Sequence, residues 1–463
     1  MSGHVDRAAQ DVGNRFSEVI GRVGQHHEHV TVRSSAGRGA YRWALAPRAK
    51  GERTAYGILA KGTPSVCRAA RHTRPTSRGM TTPITRRYAA KVATVLAAGA
   101  VGLTAQDAAA AAPQAQGKPD KTIRFATFNA SLNRNAAGDL VRDLSTGTNV
   151  QARTIAEIIQ RANPDILLIN EFDYVENGLA ATLFRDNYLA VGQGGAEPID
   201  FPHYFTAPSN TGIPSGFDLN KNGVVGGGDD AFGFGLFPGQ YGMVVYCKHP
   251  IDTAAIRTFQ HFLWKDMPGA LLPVDPATGN GWYSPEALEV FRLSSKSHWD
   301  VPIQLGQKRV HFLVAHPTPP TFDGPEDRNG RRNHDEIRFW ADYVTGGKTA
   351  DYIYDDSGGH GGLKQGERFV IAGDMNADPL DGDSVDGAIN QLLEHHRITT
   401  SVIPSSEGAV EAAALQGKTN LTHRGDPRQD TADFSEPPGN LRVDYVLPSK
   451  NLRAVDGGVF WPV

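Results

Sequence analysis

Apolar strands and amphipathic helices alternate along the C-terminal three-quarters of the chain. Six runs are apolar through their bodies and end in polar residues, which is typical of buried strands. These runs are TIRFATFNA (122–130), PDILLINEFDY (164–174), QYGMVVYCKHPI (240–251), KRVHFLVAHPT (308–318), RFVIAGDMNADP (368–379) and LRVDYVLPS (441–449). Residues 150–162 and 335–344 carry apolar side chains at helical spacing. The pattern predicts one α/β domain over residues 122–463, with LRVDYVLPS as its last strand.

Residues 1–79 lack this periodicity. They hold 14 Lys and Arg against 5 Asp and Glu, and much of the segment is rich in Arg, Ala and Gly. Such a composition predicts a disordered basic extension, or residues that precede the true start of the protein at Met80. Residues 7–32 resemble the opening of a prevent-host-death type antitoxin. An antitoxin fused to a second domain therefore stays open as a remote alternative.

Residues 80–112 have the layout of an export signal. An Arg86-Arg87 pair precedes an Ala- and Val-rich apolar stretch, which ends in small residues suited to signal peptidase. We expect secretion by the Sec route or the twin-arginine route, followed by a linker at 113–121. A single membrane anchor is the alternative, but Gln106 and Asp107 interrupt the short apolar run. We therefore expect that this chain is not an integral membrane protein.

The charge of the domain limits its partners. Residues 118–463 hold 30 of the 47 basic and 44 of the 50 acidic residues, which gives a net charge near −14. An acidic body repels nucleic-acid backbones unless a local basic groove or bound cations intervene, whereas it favours cation binding. The exported part holds one cysteine, Cys247, so it cannot form an internal disulfide.

Polar residues that can act in catalysis stand near the ends of the predicted strands. They are Asn129, Glu171, His316, Asp374 and Asn376, with Asp444 inside the last strand. Each alone is more commonly a turn former or a helix cap. In this order, and with the motifs GDMNADP, PDILLINEF and VDYVL, they resemble the endonuclease/exonuclease/phosphatase family, which includes DNase I. The resemblance covers residues 122–448 and implies a four-layer α/β sandwich of two packed mixed β-sheets flanked by helices.

The resemblance also implies a reaction, the hydrolysis of a phosphate ester by water with Mg²⁺ or Mn²⁺ as cofactor. It implies that Glu171 is the principal metal ligand, with Asn129 nearby. Asp374 would orient or deprotonate the water, and Asn376 would donate a hydrogen bond to the phosphoryl group. His316 would contact the phosphate on the leaving-group side; the alternative is a histidine that only caps a strand end.

The sequence departs from the family at its C-terminus. The family has a final Ser-Asp-His on the strand after the one that bears Asp444, and Asp444 would orient that histidine. Here the chain ends in GGVFWPV at Val463, and no Asp-His pair follows Asp444. We expect either a truncated gene product or a divergent member. Because a catalytic imidazole is worth ~10²-fold or more, we expect weak or absent activity from this exact chain.

A second motif predicts a calcium site. Oxygen-bearing residues stand at positions 1, 3, 5 and 12 of a loop with glycine at position 6, and position 7 contributes its carbonyl oxygen. The expected ligands are Asp218, Asn220, Asn222, Val224 and Asp229. The flanks are not amphipathic helices, so we expect an isolated Ca²⁺ clip that orders the insertion at 192–239. A flexible Asn/Gly loop is the alternative.

Two polar-aromatic clusters add weaker candidates. They are SKSHWDVPI (295–303), with His298 and Trp299, and DRNGRRNHDEIRF (327–339), with Arg331 and Arg332. The arginines can bind phosphate through paired hydrogen bonds. An ordinary solvated helix start and a packed tryptophan are the competing interpretation.

Two functions follow from these observations. The first is a secreted, divalent-metal-dependent phosphoesterase that acts on nucleic acid, a phospholipid headgroup or a small phosphate ester. The second is a non-catalytic, calcium-stabilised extracellular binding module on a decayed phosphoesterase scaffold. The missing Asp-His pair favours the second, and the intact Glu171, Asp374, Asn376 and His316 favour the first. We infer no stable protein partner for either.

Overall fold

The strands form two mixed β-sheets. The computed structural model describes residues 28–34 and 122–463. The strands are β1 Glu28–Ser34, β2 Thr122–Leu132, β3 Ile166–Phe172, β4 His203–Phe205, β5 Met243–Cys247, β6 Arg257–Thr258, β7 His298–Leu305, β8 Lys308–Ala315, β9 Phe369–Asp374, β10 Ala432–Asp433, β11 Asn440–Leu441, β12 Asp444–Pro448 and β13 Leu452–Val459. The first sheet has the order β13-β1-β2-β3-β5-β4 and the second β12-β9-β8-β7-β6, while β10 and β11 pair separately.

Parallel pairs lie inside both sheets. Strands β2 and β3 run parallel in the first sheet, and β8 and β9 run parallel in the second. The helices that complete the domain are α1 Asp139–Leu144, α2 Val150–Ala162, α3 Leu179–Phe184, α4 Pro285–Leu288, α5 Arg328–Thr345, α6 Asn390–Leu393 and α7 Glu407–Gln416. Helix α2 lies between β2 and β3, and α5 lies between β8 and β9, as crossovers of parallel strands require.

An apolar core packs the two sheets face to face. Phe125 of β2 and Leu168 of β3 meet Phe312 of β8 and Val370 of β9 in one buried cluster. Neighbouring positions on the same strands point to the opposite face because side chains alternate along a strand. Phe128 belongs to the cluster outside the first sheet.

Helices cover the outer faces of both sheets. Ile155 and Ile159 of α2 pack on the first sheet, and Ile337 and Trp340 of α5 pack on the second. The layers are therefore helix, sheet, sheet and helix. This confirms the predicted four-layer sandwich of mixed sheets.

Helix α2 shows how closely the sequence predicted some elements. It begins and ends at the predicted residues, because Asn149 accepts a hydrogen bond from the N–H of Ala152 and Asn163 adopts a left-handed conformation after the last turn. Helix α5 begins at Arg328, seven residues before the predicted 335–344.

Strands β7 and β13 are among the strands that were not predicted. Residues 298–305, assigned to a polar-aromatic cluster, form β7. The prediction that LRVDYVLPS is the last strand was wrong, because β13 follows it and pairs with β1. Residues 452–459 contain no continuous apolar run. The pattern used to predict buried strands therefore gave no strand there.

Strand β1 lies between β2 and β13 and is antiparallel to both. It is the described part of residues 1–79, and the other predictions for residues 1–121 lie outside the described residues. Those predictions are the antitoxin-like segment before β1, the export signal at 80–112 and the linker at 113–121.

Candidate active site

Strand ends from both sheets deliver the predicted polar residues to one place. Asn129 lies on β2 and Glu171 on β3 of the first sheet, while Asp374 ends β9 of the second sheet. His316 directly follows β8. All four are buried, with at most 8% of each residue exposed. The structure therefore brings together residues that lie up to 245 positions apart in the chain.

The carboxamide of Asn129 connects two acidic side chains. Its Nδ2 donates to Oε1 of Glu171 and to Oδ2 of Asp374, each at 3.0 Å. Its Oδ1 accepts a hydrogen bond from the N–H of Ser131 at 3.2 Å. In this orientation Asn129 holds two carboxylates close together by donating to both.

Glu171 has a buried oxygen that is free to bind a ligand. Its Oε2 has no hydrogen-bond partner in the part of the chain that the structure describes. The pKa of Glu171 is raised to about 7, chiefly by burial and in part by the negative charge of Asp374, while the hydrogen bond from Asn129 acts in the opposite direction. A divalent cation beside Oε2 would reverse this penalty and favour the carboxylate.

The oxygen chemistry at this site suits a hard cation. Glu171 supplies the free carboxylate oxygen, and Asn129 and Asp374 lie beside it. Within residues 28–34 and 122–463, no group of three or more His, Cys, Asp or Glu side chains is placed to hold a metal ion. Mg²⁺ commonly keeps several water ligands and binds through one or two carboxylates. The residues fit Mg²⁺ or Mn²⁺ held largely by water, rather than an all-protein cage.

Asp374 is fixed on both of its oxygens. Oδ1 accepts a hydrogen bond from the N–H of Asn376 at 3.0 Å, and Oδ2 accepts from Asn129. Nε2 of His316 lies 3.7 Å from Oδ2. Burial raises the pKa of Asp374, and the hydrogen bonds from Asn129 and Asn376 act in the opposite direction. The carboxylate is therefore oriented, with His316 as its neighbour.

His316 is held neutral. Burial lowers its pKa well below the usual value, and the positive charge of Lys296 lowers it further. Its Nδ1 has no hydrogen-bond partner among the described residues. A neutral imidazole can donate a hydrogen bond through one nitrogen to a phosphoryl or leaving-group oxygen.

Asn376 and Asp444 are both neighbours of Asp374. Asn376 lines the cleft and donates through Nδ2 to the carbonyl oxygen of Pro317 at 3.1 Å. Asp444 stands opposite Asp374 in the antiparallel register of β12 and β9. Asp444 is buried and is not among the residues that line the cleft. Asp444 therefore lies next to Asp374 without lining the cleft.

A cleft of about 740 Å³ opens above these residues. Its walls are partly aromatic and apolar. They include Phe234, Tyr241, Tyr283, Phe291, Pro319, Pro320, Phe322, Leu380 and Phe434. The cleft is large enough for a substrate that extends well beyond one phosphate group.

The two predicted arginines differ in position. Arg332 lines the cleft, but its guanidinium donates to the carbonyl oxygens of Leu293, Phe232 and Arg292. Arg331 is not among the lining residues. A role in phosphate binding stays a prediction for both.

His298 and Trp299 are core residues, as the competing interpretation held. Nδ1 of His298 lies 3.1 Å from Oγ of Ser294, and Nε2 lies 2.9 Å from the carbonyl oxygen of Glu336. Burial lowers the pKa of His298 to about 4. Trp299 packs between the two sheets.

Sequence reasoning missed the buried polar face of α5. The carboxylate of Glu336 accepts hydrogen bonds from the N–H groups of Ser295 and Thr318, each at 2.6 Å. Asn333 donates to the carbonyl oxygens of Thr318 and Met375 at 2.8 and 2.9 Å. These side chains fix the loops that carry the site. A signal was present, because Asn333 and Glu336 are one helical turn apart.

Lys296 was also missed. It is buried, lines the cleft and lies near Glu171 and Asp374. Burial lowers the pKa of its ammonium group, while Glu336, Glu171 and Asp374 raise it. The segment SKSHWDVPI was singled out by sequence, but for His298 and Trp299 rather than for its lysine.

The predicted calcium loop is a tight turn beside the cleft. Asp218 accepts hydrogen bonds from the N–H groups of Asn222 and Gly223, at 3.0 and 2.8 Å. Asn220 and Asn222 each accept one from a residue two positions later, Asn222 and Val224 respectively. Asp229 lines the cleft.

Asp230 closes this loop, which the sequence did not indicate. Its two carboxylate oxygens accept hydrogen bonds from the N–H groups of Leu219 and Gly226, each at 2.7 Å. Asp230 is 2% exposed. The neighbouring Asp229, the predicted twelfth-position ligand, is left to face the cleft.

The fold and the site together define an α/β sandwich protein with buried acidic residues at its strand ends. The chain belongs to the Endonuclease/Exonuclease/phosphatase family, whose model matches residues 126–463. Most members of this family are hydrolases that act on phosphoesters. Family membership and the observed fold confirm the resemblance seen in the sequence motifs.

Several solved structures are similar at low identity. A β-hairpin deletion mutant of beta toxin from Staphylococcus aureus is 13% identical, with 72% of this chain and 89% of that chain covered and a TM-score of 0.35. An endonuclease/exonuclease/phosphatase from Beutenbergia cavernae DSM 12333 is 16% identical, with 66% and 62% covered and a TM-score of 0.34. Sphingomyelinase C from Streptomyces griseocarneus is 15% identical, with 70% and 82% covered and a TM-score of 0.32.

No curated protein matches the chain. In the described ranges, no helix is both long enough and apolar enough to cross a membrane.

Proposed function

We propose that this chain is a phosphoesterase that depends on a divalent metal and hydrolyses phosphodiester or phosphomonoester bonds. The observation that carries the proposal is the free, buried Oε2 of Glu171 beside the oriented carboxylate of Asp374, at the base of the cleft. Mg²⁺ or Mn²⁺ bound to Glu171, with Asn129 nearby, would neutralise charge on the phosphoryl oxygens.

The residues around the metal position support water attack on phosphorus. Asp374 can orient a water molecule and accept its proton, while the water oxygen forms the new bond to phosphorus. The bond from phosphorus to the leaving oxygen breaks, and a proton from solvent restores the leaving alcohol. Asn376 can donate to a phosphoryl oxygen, and neutral His316 can donate on the leaving-group side. We also propose a catalytic role for Asp444, which stands opposite Asp374 on the neighbouring strand.

The substrate class is tested with a panel. The purified full chain is assayed on bis-p-nitrophenyl phosphate, p-nitrophenyl phosphate, plasmid DNA and sphingomyelin, with Mg²⁺, Mn²⁺ or EDTA. Because no Asp-His pair follows Asp444, we expect weak turnover of at least one ester with metal, loss of that turnover with EDTA and recovery when metal is restored. The net negative charge of residues 118–463 disfavours duplex DNA relative to the smaller esters. Turnover that persists in EDTA would contradict the metal dependence.

We propose a separate Ca²⁺ site in the loop 218–229, with Asp218, Asn220, Asn222, the Val224 carbonyl and Asp229 as ligands. The turn already groups three of these side chains around successive N–H groups. Ca²⁺ should raise Tm of the wild-type protein, and Asp218→Asn should reduce that shift. Asp351→Asn, at an exposed position outside the loop, is the matched control. An equal Ca²⁺ shift in both variants would overturn the assignment.

We also propose that the domain is exported. The support is the sequence of residues 80–112, with its Arg pair, apolar stretch and small residues. N-terminal sequencing of protein recovered from culture medium should give a start after Ala112. Recovery of protein that begins at Met1 would contradict cleavage of this segment.

A further inference from the structure

Lys296 is a rigidly held residue at the entrance to β7. Its carbonyl oxygen accepts a hydrogen bond from the N–H of Asn210 at 2.8 Å. The N–H of the preceding Ser295 donates to Glu336 at 2.6 Å. The backbone is therefore fixed on both sides, although Lys296 lies in no strand or helix. The residue is 7% exposed and lines the cleft.

The ammonium group of Lys296 lacks a direct counter-ion. Among the described residues, no ion pair or hydrogen bond joins its Nζ to another group of the protein. Glu171, Asp374 and Glu336 are nevertheless near enough to act on its charge. A cation that loses water on burial without gaining hydrogen-bonding partners is unfavourable. Such a cation in a cleft is placed for an anion that enters from solvent.

The surroundings of Lys296 indicate which anion fits. Asn376 and neutral His316 are hydrogen-bond donors that line the same cleft. Glu171 and Asp374 would repel an anion, unless a metal ion at Glu171 neutralises them. A phosphoryl group meets all of these conditions, because its oxygens can face the metal, the amide and the ammonium together.

We propose that the ammonium of Lys296 binds a non-bridging phosphoryl oxygen of the substrate and stabilises its charge during hydrolysis. The inference rests on the proposed phosphoesterase function and adds a cation from the protein to that site. Lys296 forms no covalent bond in this role. It supplies a fixed positive charge on the side of the cleft formed by the segment before β7.

The test compares Lys296→Met, Lys296→Arg and the surface control Lys308→Met in the full chain. Inorganic phosphate is titrated calorimetrically in the presence of Mg²⁺, and kcat/KM is measured with bis-p-nitrophenyl phosphate. We expect Lys296→Met to weaken phosphate binding about 10-fold or more and to lower kcat/KM by ~10²-fold. Lys296→Arg keeps the charge and should restore part of both. Lys308 is exposed at the start of β8, so Lys308→Met should change neither.

Thermal unfolding in EDTA separates this role from a structural one. Because Lys296 lacks a direct partner, Lys296→Met should leave Tm unchanged or raise it. If Lys296 instead holds the fold together, Tm of Lys296→Met falls and the assignment is overturned. Lys296→Gln repeats the comparison with a polar side chain, in case the methionine variant does not fold.

Failure of this inference is distinguishable from failure of the proposed function. If the wild-type chain hydrolyses an ester but Lys296→Met binds phosphate and turns over normally, the Lys296 assignment is wrong and the function stands. If the wild-type chain hydrolyses nothing but binds phosphate through Lys296, the function fails and the anion site stands. Absence of phosphate binding to the wild-type chain overturns the inference directly.

Discussion

Nδ2 of Asn129 donates to Oδ2 of Asp374 at 3.0 Å, and this hydrogen bond crosses from one sheet to the other. The same amide also donates to Glu171. The relative position of the proposed metal ligand and the proposed base therefore depends on how the two sheets pack.

Loss of this amide should damage both activity and stability. Asn129→Ala leaves acceptor oxygens of Glu171 and Asp374 unpaired in a buried site, which costs about 1–3 kcal/mol for each. We expect a lower Tm in metal-free buffer and a fall in kcat of ~10²-fold or more. Asn280→Ala, at an exposed loop position, is the control. Equal Tm and kcat in the two variants would show that the hydrogen bonds from Asn129 have no role.

The loop that carries the site depends on Glu336. Its carboxylate accepts hydrogen bonds from the N–H groups of Ser295 and Thr318. Glu336→Gln replaces one of the two acceptor oxygens by an NH₂ group, which would face the N–H donor of Ser295 or Thr318. We expect a loss of about 2 kcal/mol or more in the free energy of unfolding. Urea denaturation measures it. The exposed Glu411 on α7 provides Glu411→Gln as the control, and an equal loss in both variants would refute this role.

The glycine of the GDMN motif is required by a close backbone contact. A Cβ at Gly373 would lie 2.0 Å from the carbonyl oxygen of Ala315 on the neighbouring strand. Gly373→Ala should therefore push β9 from β8 and lower the free energy of unfolding by about 1–3 kcal/mol. At Gly281 the nearest atom to a Cβ is 3.6 Å away, so Gly281→Ala should fold normally. A native-like Tm for Gly373→Ala would contradict the observed packing.

Because of Asp430, the free energy of unfolding should fall at alkaline pH. Burial, together with the negative charges of Asp378, Asp381 and Asp426, raises the pKa of its carboxyl group to about 8. The folded state binds the proton of the Asp430 carboxyl group more tightly than the unfolded state does. The protonated group therefore contributes its full stabilisation of the fold below pH about 4. This stabilisation is lost as pH rises through about 8.

Asp430→Asn mimics the protonated carboxyl group and tests the direction of this pH dependence. Its Tm should exceed that of the wild-type protein at pH 9, and the difference should shrink at pH 5. Asp351→Asn, at an exposed position, should show no such trend. A difference that grows toward acid pH would mean that the carboxylate is stabilised by folding.

The sequence predicted the parts of the fold that depend on local pattern. Helix α2 and the strands around Phe125, Leu168 and Val370 follow from apolar periodicity, because burial selects for it. Strand β13 was missed, since much of it is only partly buried and carries no apolar run. A strand of this kind is specified by its neighbours rather than by its own side chains.

The candidate site was predictable where motifs mark it. Asn129, Glu171, His316 and Asp374 stand at strand ends, and the structure gathers them. Lys296 precedes a strand and carries no motif, and its position in the cleft beside Glu171 and Asp374 depends on residues far away in the chain. Helix periodicity likewise cannot tell that Glu336 will be buried against two loops, because that depends on tertiary packing.

We propose that Glu171 holds the metal on which hydrolysis depends. The most direct measurement is the Mg²⁺-dependent kcat of Glu171→Gln on the best ester of the panel, beside Glu411→Gln and the wild-type chain. We predict that Glu171→Gln folds, binds Mg²⁺ more weakly and loses ~10²-fold or more in kcat, while Glu411→Gln is unchanged. Full Mg²⁺-dependent turnover by a folded Glu171→Gln would contradict the account.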